Sequence, residues 1–247
     1  GDDNELKVLG RTHSAEDTVN AVKIARGLGF NNISLDLMLG LPESNLESLE
    51  KNLEFITSLA PEHISAYILK IEENTAFAKF ESDLTLPNDD EIAEQYLFMS
   101  EFLESKGFYH YEISNFCKEN MESRHNIKYW QGKEYLGIGP SAHSLIDNKR
   151  FYYERDLKAF MRGVSPVDDG CGGGKEEYIF LRFRLKEGIN TQNFRRKFGT
   201  ALPQAFFKKC SVLKEKGFLA TENERIYLTN KGMLLSNSII TELLECI

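Results

Sequence analysis

Two histidines of this chain stand among residues that can do chemistry together. His125 lies in Arg124-His125-Asn126-Ile127-Lys128-Tyr129-Trp130, and His143 closes Tyr135-Leu136-Gly137-Ile138-Gly139-Pro140-Ser141-Ala142-His143. A neutral imidazole beside aromatic rings suits a metal or a heme iron as axial ligand. The competing reading is a histidine that hydrogen-bonds a loop backbone, and His13, His63 and His110 stay there. Tyr129 and Trp130 are equally compatible with core aromatics. Gly137 and Gly139 permit close approach of a ligand to the backbone, or simply a tight bend. A third candidate is Asp36, a carboxylate set inside the apolar stretch Asn31–Pro42. A charge there is costly unless something satisfies it, so Asp36 either holds a polar ligand group or caps the next helix. Arg11 can pair with a carboxylate or phosphate, or be a solvated surface residue. Lys70 ends the next extended segment, as a ligand group or as a rim lysine. No GxGxxG, P-loop, HExxH or nucleophile elbow is present.

These residues need elements to position them. Ser14 is a good N-cap, with Asp17 three positions on, for a helix to Gly29 whose apolar face is Val19, Val22, Ile24, Ala25 and Leu28. The Asn31–Pro42 stretch then reads as a strand covered on both faces, with Ser34, Asp36 and Met38 on one side and Ile33, Leu35 and Leu37 on the other. A helix from Ser44 to Leu59 and a strand from His63 to Ile71 follow. The order helix, strand, helix, strand with short connectors implies βα units and a parallel sheet. In a parallel barrel the ligand site lies at the carboxyl ends of the strands. A third helix spans Asp89–Lys106, and Tyr109–Ile113 is extended. Regular periodicity fades from Ser114 to Arg150, and loops of that kind carry function.

Asp156–Arg162 reads as a short helix. The Gly- and Asp-rich tract 165–174 reads as a linker between a domain of residues 1–164 and one of residues 175–247. Beyond it, helices near 176–185, 191–198 and 203–216, a hairpin around Glu222-Asn223-Glu224 and a last helix from Thr229 suggest a winged-helix-like module. Its basic residues are matched by nearby acids, which favours a structural or docking role over DNA binding.

Bulk properties bound the partners. The chain has 247 residues, 41% of them hydrophobic, enough for one large core or two modest ones. Net charge is -8 with no dense Lys or Arg run, so no nucleic-acid partner is expected. No stretch is apolar enough to suggest a transmembrane segment. Four scattered cysteines, Cys117, Cys171, Cys210 and Cys246, form no CxxC pair, which points to a reducing, cytoplasmic setting. The chain starts Gly-Asp-Asp rather than with Met, and is expected to be a piece of a longer protein.

Taken together, the segments Leu9–Asp17, Leu35–Pro42, Pro61–Thr75, Tyr111–Phe116, Arg124–Trp130, Tyr135–Ser144 and Leu228–Ile239 resemble the radical S-adenosylmethionine family of oxygen-independent coproporphyrinogen III oxidases, and more closely its heme-chaperone branch. The resemblance implies an α/β fold: the distal part of an incomplete (β/α)6 TIM-like barrel plus a C-terminal helical, winged-helix-like domain. It implies that Arg11, Asp36, Lys70 and His143 stand at S-adenosylmethionine-binding positions, Lys70 and His143 through backbone if at all, with Asp36 and His143 looking into one hollow. It also implies that His125, Asn126, Tyr129 and Trp130 form a heme-binding motif, with His125 on the iron. Ser123 stands where related chaperones often carry Cys, which argues against a second, thiolate ligand. The family's three-cysteine motif for a [4Fe–4S] cluster belongs to an upstream portion, so these 247 residues alone are expected to be catalytically inactive. For the whole protein the resemblance implies heme transfer to an acceptor protein, or else decarboxylation of coproporphyrinogen III.

Overall fold

The computed structural model describes residues 1–73, 75 and 77–247 and divides into two compact units, Gly1–Glu122 and Ser123–Ile247. In the first unit, α1 (Asp3–Val8) precedes α2 (Ala15–Gly27), β1 (Ser34–Leu39), α3 (Leu46–Ser58), β2 (His63–Ile68), a 3-10 turn (Phe77–Asp83), α4 (Asp89–Ser105), β3 (Tyr109–Glu112) and β4 (Asn115–Cys117). Local chemistry sets the helix starts. Ser14 with Asp17, Asn45 with Ser48, and Asn88 with Glu91 each form a reciprocal capping box, satisfying amides that the first turn leaves free. Leu49, Leu53 and Ile56 of α3 and Tyr96, Met99 and Leu103 of α4 bury one stripe each, the 3.6-residue spacing turning them to one side.

The sheet order is β1-β2-β4-β3. β1 and β2 run parallel, Asp36 opposite Ser65, with α3 as the crossover. The expected parallel sheet stops there: β4 runs antiparallel to both β2 and β3. Only Ile113 and Ser114 separate β3 from β4, and a two-residue connection permits nothing but an antiparallel pair. Two further expectations change. β1 is not covered on both faces, because Ser34 and Asp36 are exposed while Leu37 and Leu39 are buried. On α2 only Val22 is buried, and Ile24 and Leu28 are exposed; positions 22 and 24 lie about 200° apart around a helix and cannot share a face.

The second unit opens with α5 (Arg124–Trp130), then a hairpin of β5 (His143–Ile146) and β6 (Lys149–Tyr152), α6 (Leu157–Met161) and β7 (Val167–Cys171). Asp147 and Asn148 both take positive φ, the turn that matches hairpin twist. Strand β7 pairs with β6 inside the tract expected to be a linker, and the division of the chain falls ahead of it, between Glu122 and Ser123. Two of the tract's glycines, Gly172 and Gly173, are tied into this packing. The Gly172 amide donates to the Asn148 carbonyl, a Cβ at Gly172 would press on Leu145, and the Gly173 amide donates to Glu177 Oε2.

The remainder comprises α7 (Lys175–Arg182), β8 (Ile189–Asn190), α8 (Thr191–Phe198), α9 (Gln204–Glu215), β9 (Leu219–Glu222), β10 (Arg225–Leu228), α10 (Asn230–Leu234) and α11 (Ser236–Leu244). An antiparallel sheet β8-β10-β9 packs with these helices around Ile179, Phe183, Phe194, Phe206, Leu228 and Leu243, all essentially solvent-free.

Candidate functional site

Asp36 and Arg11 come together in the first unit. Both line a cavity of about 590 Å³ whose walls also carry His13, Ser34, Met38 and Tyr67. The volume is in the range of small-molecule sites. Neither the Arg11 guanidinium nor the Asp36 carboxylate makes a hydrogen bond or ion pair among the described residues. Water bears the cost of the charge that burial would have imposed, and both groups remain free for a ligand. Asp36 caps no helix; Asn45 caps α3. The cavity wall is held from behind. The Gly40 amide after β1 donates to Gln95 Oε1 on α4. At the other end of β1, Arg26 bridges Glu62 at 2.8 Å and donates to the Ala60 carbonyl, while Glu62 accepts the Ile33 amide. Partial burial pushes the Glu62 carboxyl up, but the Arg26 and Ile33 hydrogen bonds outweigh it and hold the group below its ordinary value.

A buried relay runs inward from the same wall. His63 Nδ1 lies 2.8 Å from Ser34 Oγ, and Nε2 lies 2.8 Å from the Tyr111 hydroxyl. Burial lowers the His63 pKa from its ordinary 6.5, against a weaker upward pull from the Asp36 carboxylate. The unfolded chain therefore takes up a proton near pH 6.5 that the folded chain refuses until lower pH. Stability is lost as pH falls below that value, with a contribution of up to about 1.4 kcal/mol per pH unit. Urea unfolding between pH 7.5 and 5.5 is expected to show this slope in the parent and a shallower one in His63→Gln. Equal slopes would mean that His63 does not carry it.

The second constellation lies on α5, which Ser123 caps through the Asn126 amide. Asn126, Tyr129 and Trp130 line an open pocket of about 310 Å³, together with Tyr135, Leu145 and Leu181. His125 is exposed on the flank of the helix and does not line this pocket; its Nε2 lies 3.1 Å from the Tyr129 hydroxyl, one turn on. Tyr129 in turn packs edge-on to Tyr135. The Arg184 guanidinium lies 4.4 Å from the centroid of the Trp130 ring, and Trp130 Nε1 is buried without a hydrogen-bond partner among the described residues. Arg150 and Glu177 form an ion pair on the pocket wall. Sequence reasoning missed Glu177 and Leu181, because α7 reaches this pocket from about fifty residues away along the chain, and it missed Arg184, which follows that helix and lies over Trp130; no local spacing signals either.

The other candidates stand apart from these groups. Lys70 is absent from the cavity lining, and its ammonium pairs with Glu72 at 2.9 Å in solvent. His143 belongs to the second unit, where it starts β5, stacks on Tyr152 and lies 3.6 Å from Asp169. Gly137 is explained by packing: a Cβ there would fall on the His143 carbonyl oxygen, and its amide donates to Ser144 Oγ. Gly139, at φ +110, has open space around it.

The family profile described as HemN C-terminal domain matches residues 176–235. "Heme chaperone HemW" of Bacillus subtilis (strain 168) is 36% identical, over 96% of this chain and 65% of its own length. In sequence the chain is similar, across nearly its whole length, to proteins named as heme chaperones. "Radical S-adenosyl methionine domain-containing protein 1, mitochondrial" of Danio rerio is 30% identical over 98% of the chain and 59% of its own length. The solved structure described as "Coproporphyrinogen III oxidase (HemN) from Escherichia coli is a Radical SAM enzyme" superposes with a TM-score of 0.77 at 18% identity, covering 98% of this chain and 61% of that one; it shares the α/β fold. The chain spans just under two thirds of the length of the curated relatives it matches. Its cysteines do not fit an iron–sulfur cluster. No group of three or more His, Cys, Asp or Glu able to hold a metal occurs among the described residues. Burial pushes the Cys117 and Cys210 thiols up to about 12, which leaves them inert. Among the described residues no helix is long and apolar enough to cross a membrane.

Proposed function

We propose that the whole protein is a cytoplasmic heme chaperone that binds heme on α5 and hands it to an acceptor protein. The observation that carries this reading is the placement of Asn126, Tyr129 and Trp130 along one pocket with an accessible His125 imidazole beside it. The residues fit the group: the aromatic and aliphatic part of the lining suits a macrocycle, Arg150 and Glu177 pair their charges on the wall, and His125 offers a ring nitrogen hydrogen-bonded to the Tyr129 hydroxyl. When bound, heme would supply an iron centre for which the His125 ring nitrogen is a suitable ligand. Trp130 and Tyr135 would exclude water from one side of the macrocycle. The names of the chaperone relatives support the same reading.

S-adenosylmethionine is assigned to the cavity of Arg11 and Asp36. Two unsatisfied, oppositely charged side chains there suit a ligand that carries both charges. Lys70 and His143 contribute at most through backbone. The cluster would take its ligands from residues outside these 247. In the same reading residues 1–164 are the distal part of an incomplete (β/α)6 barrel, and residues 175–247 are a winged-helix-like module. Support for the module comes from its order of helices followed by the β9–β10 hairpin and closing helices.

The reading is tested by mixing heme-loaded full-length protein with a heme-free acceptor hemoprotein. Transfer of the Soret absorbance to the acceptor is expected, and coproporphyrinogen III supplied with S-adenosylmethionine and a reductant should be left unchanged. Decarboxylated product would overturn the chaperone reading in favour of the oxidase.

A further inference from the structure

A small polar pocket of about 70 Å³ lies in the second unit, on α7, α8 and β10, away from the side of α7 that faces Trp130. It is lined by Tyr178, Arg182, Glu187, Asn190, Asn193 and Arg225, with the Gly188 backbone. Positions 178 and 182 are one helical turn apart, so the two side chains stand one above the other on the same face of α7. Tyr178 is fixed by ring contacts with Phe194 and Phe198, and Arg182 lies 5.3 Å over its ring. Lys197 approaches the same ring at 5.8 Å.

The charges here are unbalanced in an informative way. Neither Arg182 nor Arg225 forms an ion pair or a side-chain hydrogen bond among the described residues, although Glu187 shares the lining and Glu222 stands opposite Arg225 across the β9–β10 ladder. Arg182 Nε is moreover buried from water with no partner among them. Leaving a buried guanidinium nitrogen unmatched is unfavourable, a cost that a ligand acceptor placed in the pocket would remove. Guanidinium forks match planar and tetrahedral oxyanions with two parallel hydrogen bonds. The volume admits a single such group and nothing larger.

We propose that this pocket is an oxyanion site, which takes one carboxylate or phosphate group between Arg182 and Arg225. Asn190 and Asn193 supply neutral polar atoms at its rim, and Glu187 limits its affinity by like-charge repulsion. The proposal does not depend on heme or S-adenosylmethionine binding.

The test is calorimetric titration of the full-length protein at low salt with orthophosphate and, separately, with propionate. Saturable binding of at least one probe is expected, weakened about tenfold or more in Arg182→Gln and in Arg225→Gln and strengthened a few-fold in Glu187→Gln. The tighter probe names the group. Arg225 is exposed on its strand, so its variant is expected to keep the parent melting temperature and separates lost binding from lost folding. No saturable heat from either probe, or parent affinity in a folded Arg225→Gln, would overturn the proposal.

Discussion

Alanine at Gly188 is expected to destabilise the second unit by about 3–5 kcal/mol. Two separate penalties meet at this position. Its φ of +63 lies in the left-handed region, where a Cβ crowds its own backbone. An added Cβ would also fall on the Ile226 carbonyl oxygen and against Tyr227, at the point where β10 pairs with β8. Neither neighbour can yield, because Ile226 belongs to the ladder and is buried. Gly199 separates the two effects: its φ is +70, but nothing stands within 4 Å of where a Cβ would project, so Gly199→Ala should cost only about 1–2 kcal/mol. Urea unfolding of both variants provides the comparison. Similar losses at the two sites would show that backbone crowding at Gly188 is unimportant.

Removing the Asp36 carboxylate is expected to weaken S-adenosylmethionine binding by the full-length protein about tenfold to a hundredfold, the worth of a charge-assisted hydrogen bond of roughly 1.5–3 kcal/mol. Stability should hardly change in Asp36→Ala, since the side chain is exposed and satisfies no neighbour. That contrast makes the prediction sharp: a structural aspartate would lose stability and keep affinity, whereas the cavity geometry calls for the reverse. Equilibrium binding of labelled S-adenosylmethionine alongside urea unfolding reads both quantities. Lys70→Ala is the control and should leave affinity within twofold or so, because its ammonium already pairs with Glu72 in solvent.

Much of this could be read along the chain where physics is local. Ser14 with Asp17 announced α2, and the leucine spacing of Leu49, Leu53 and Ile56 announced the buried stripe of α3. Asp36 stood out as a charge inside an apolar run, and the structure places it on a cavity wall with Arg11. Helix α5 did not stand out, because seven residues make only two turns and give periodicity too little to work on. The β5–β6 hairpin did leave a signal, Asp147-Asn148 between extended residues, but it sat among loops rich in histidine and aromatics. The tract 165–174 contains β7 for a physical reason that composition hides: Gly172 and Gly173 permit close packing against the β5–β6 hairpin, and a glycine count does not distinguish that from flexibility. The walls that α7 lends to the Trp130 pocket are long-range packing, which no local pattern encodes.

Heme binding on α5 carries the proposed function, and a spectroscopic titration of the full-length protein tests it directly. Heme added to the parent should give a saturable shift of the Soret band. His125→Ala should abolish the shift or weaken binding at least about tenfold, and Trp130→Phe, which keeps an aromatic wall, should retain it. A shift of parent strength and position in His125→Ala would contradict heme ligation by this helix.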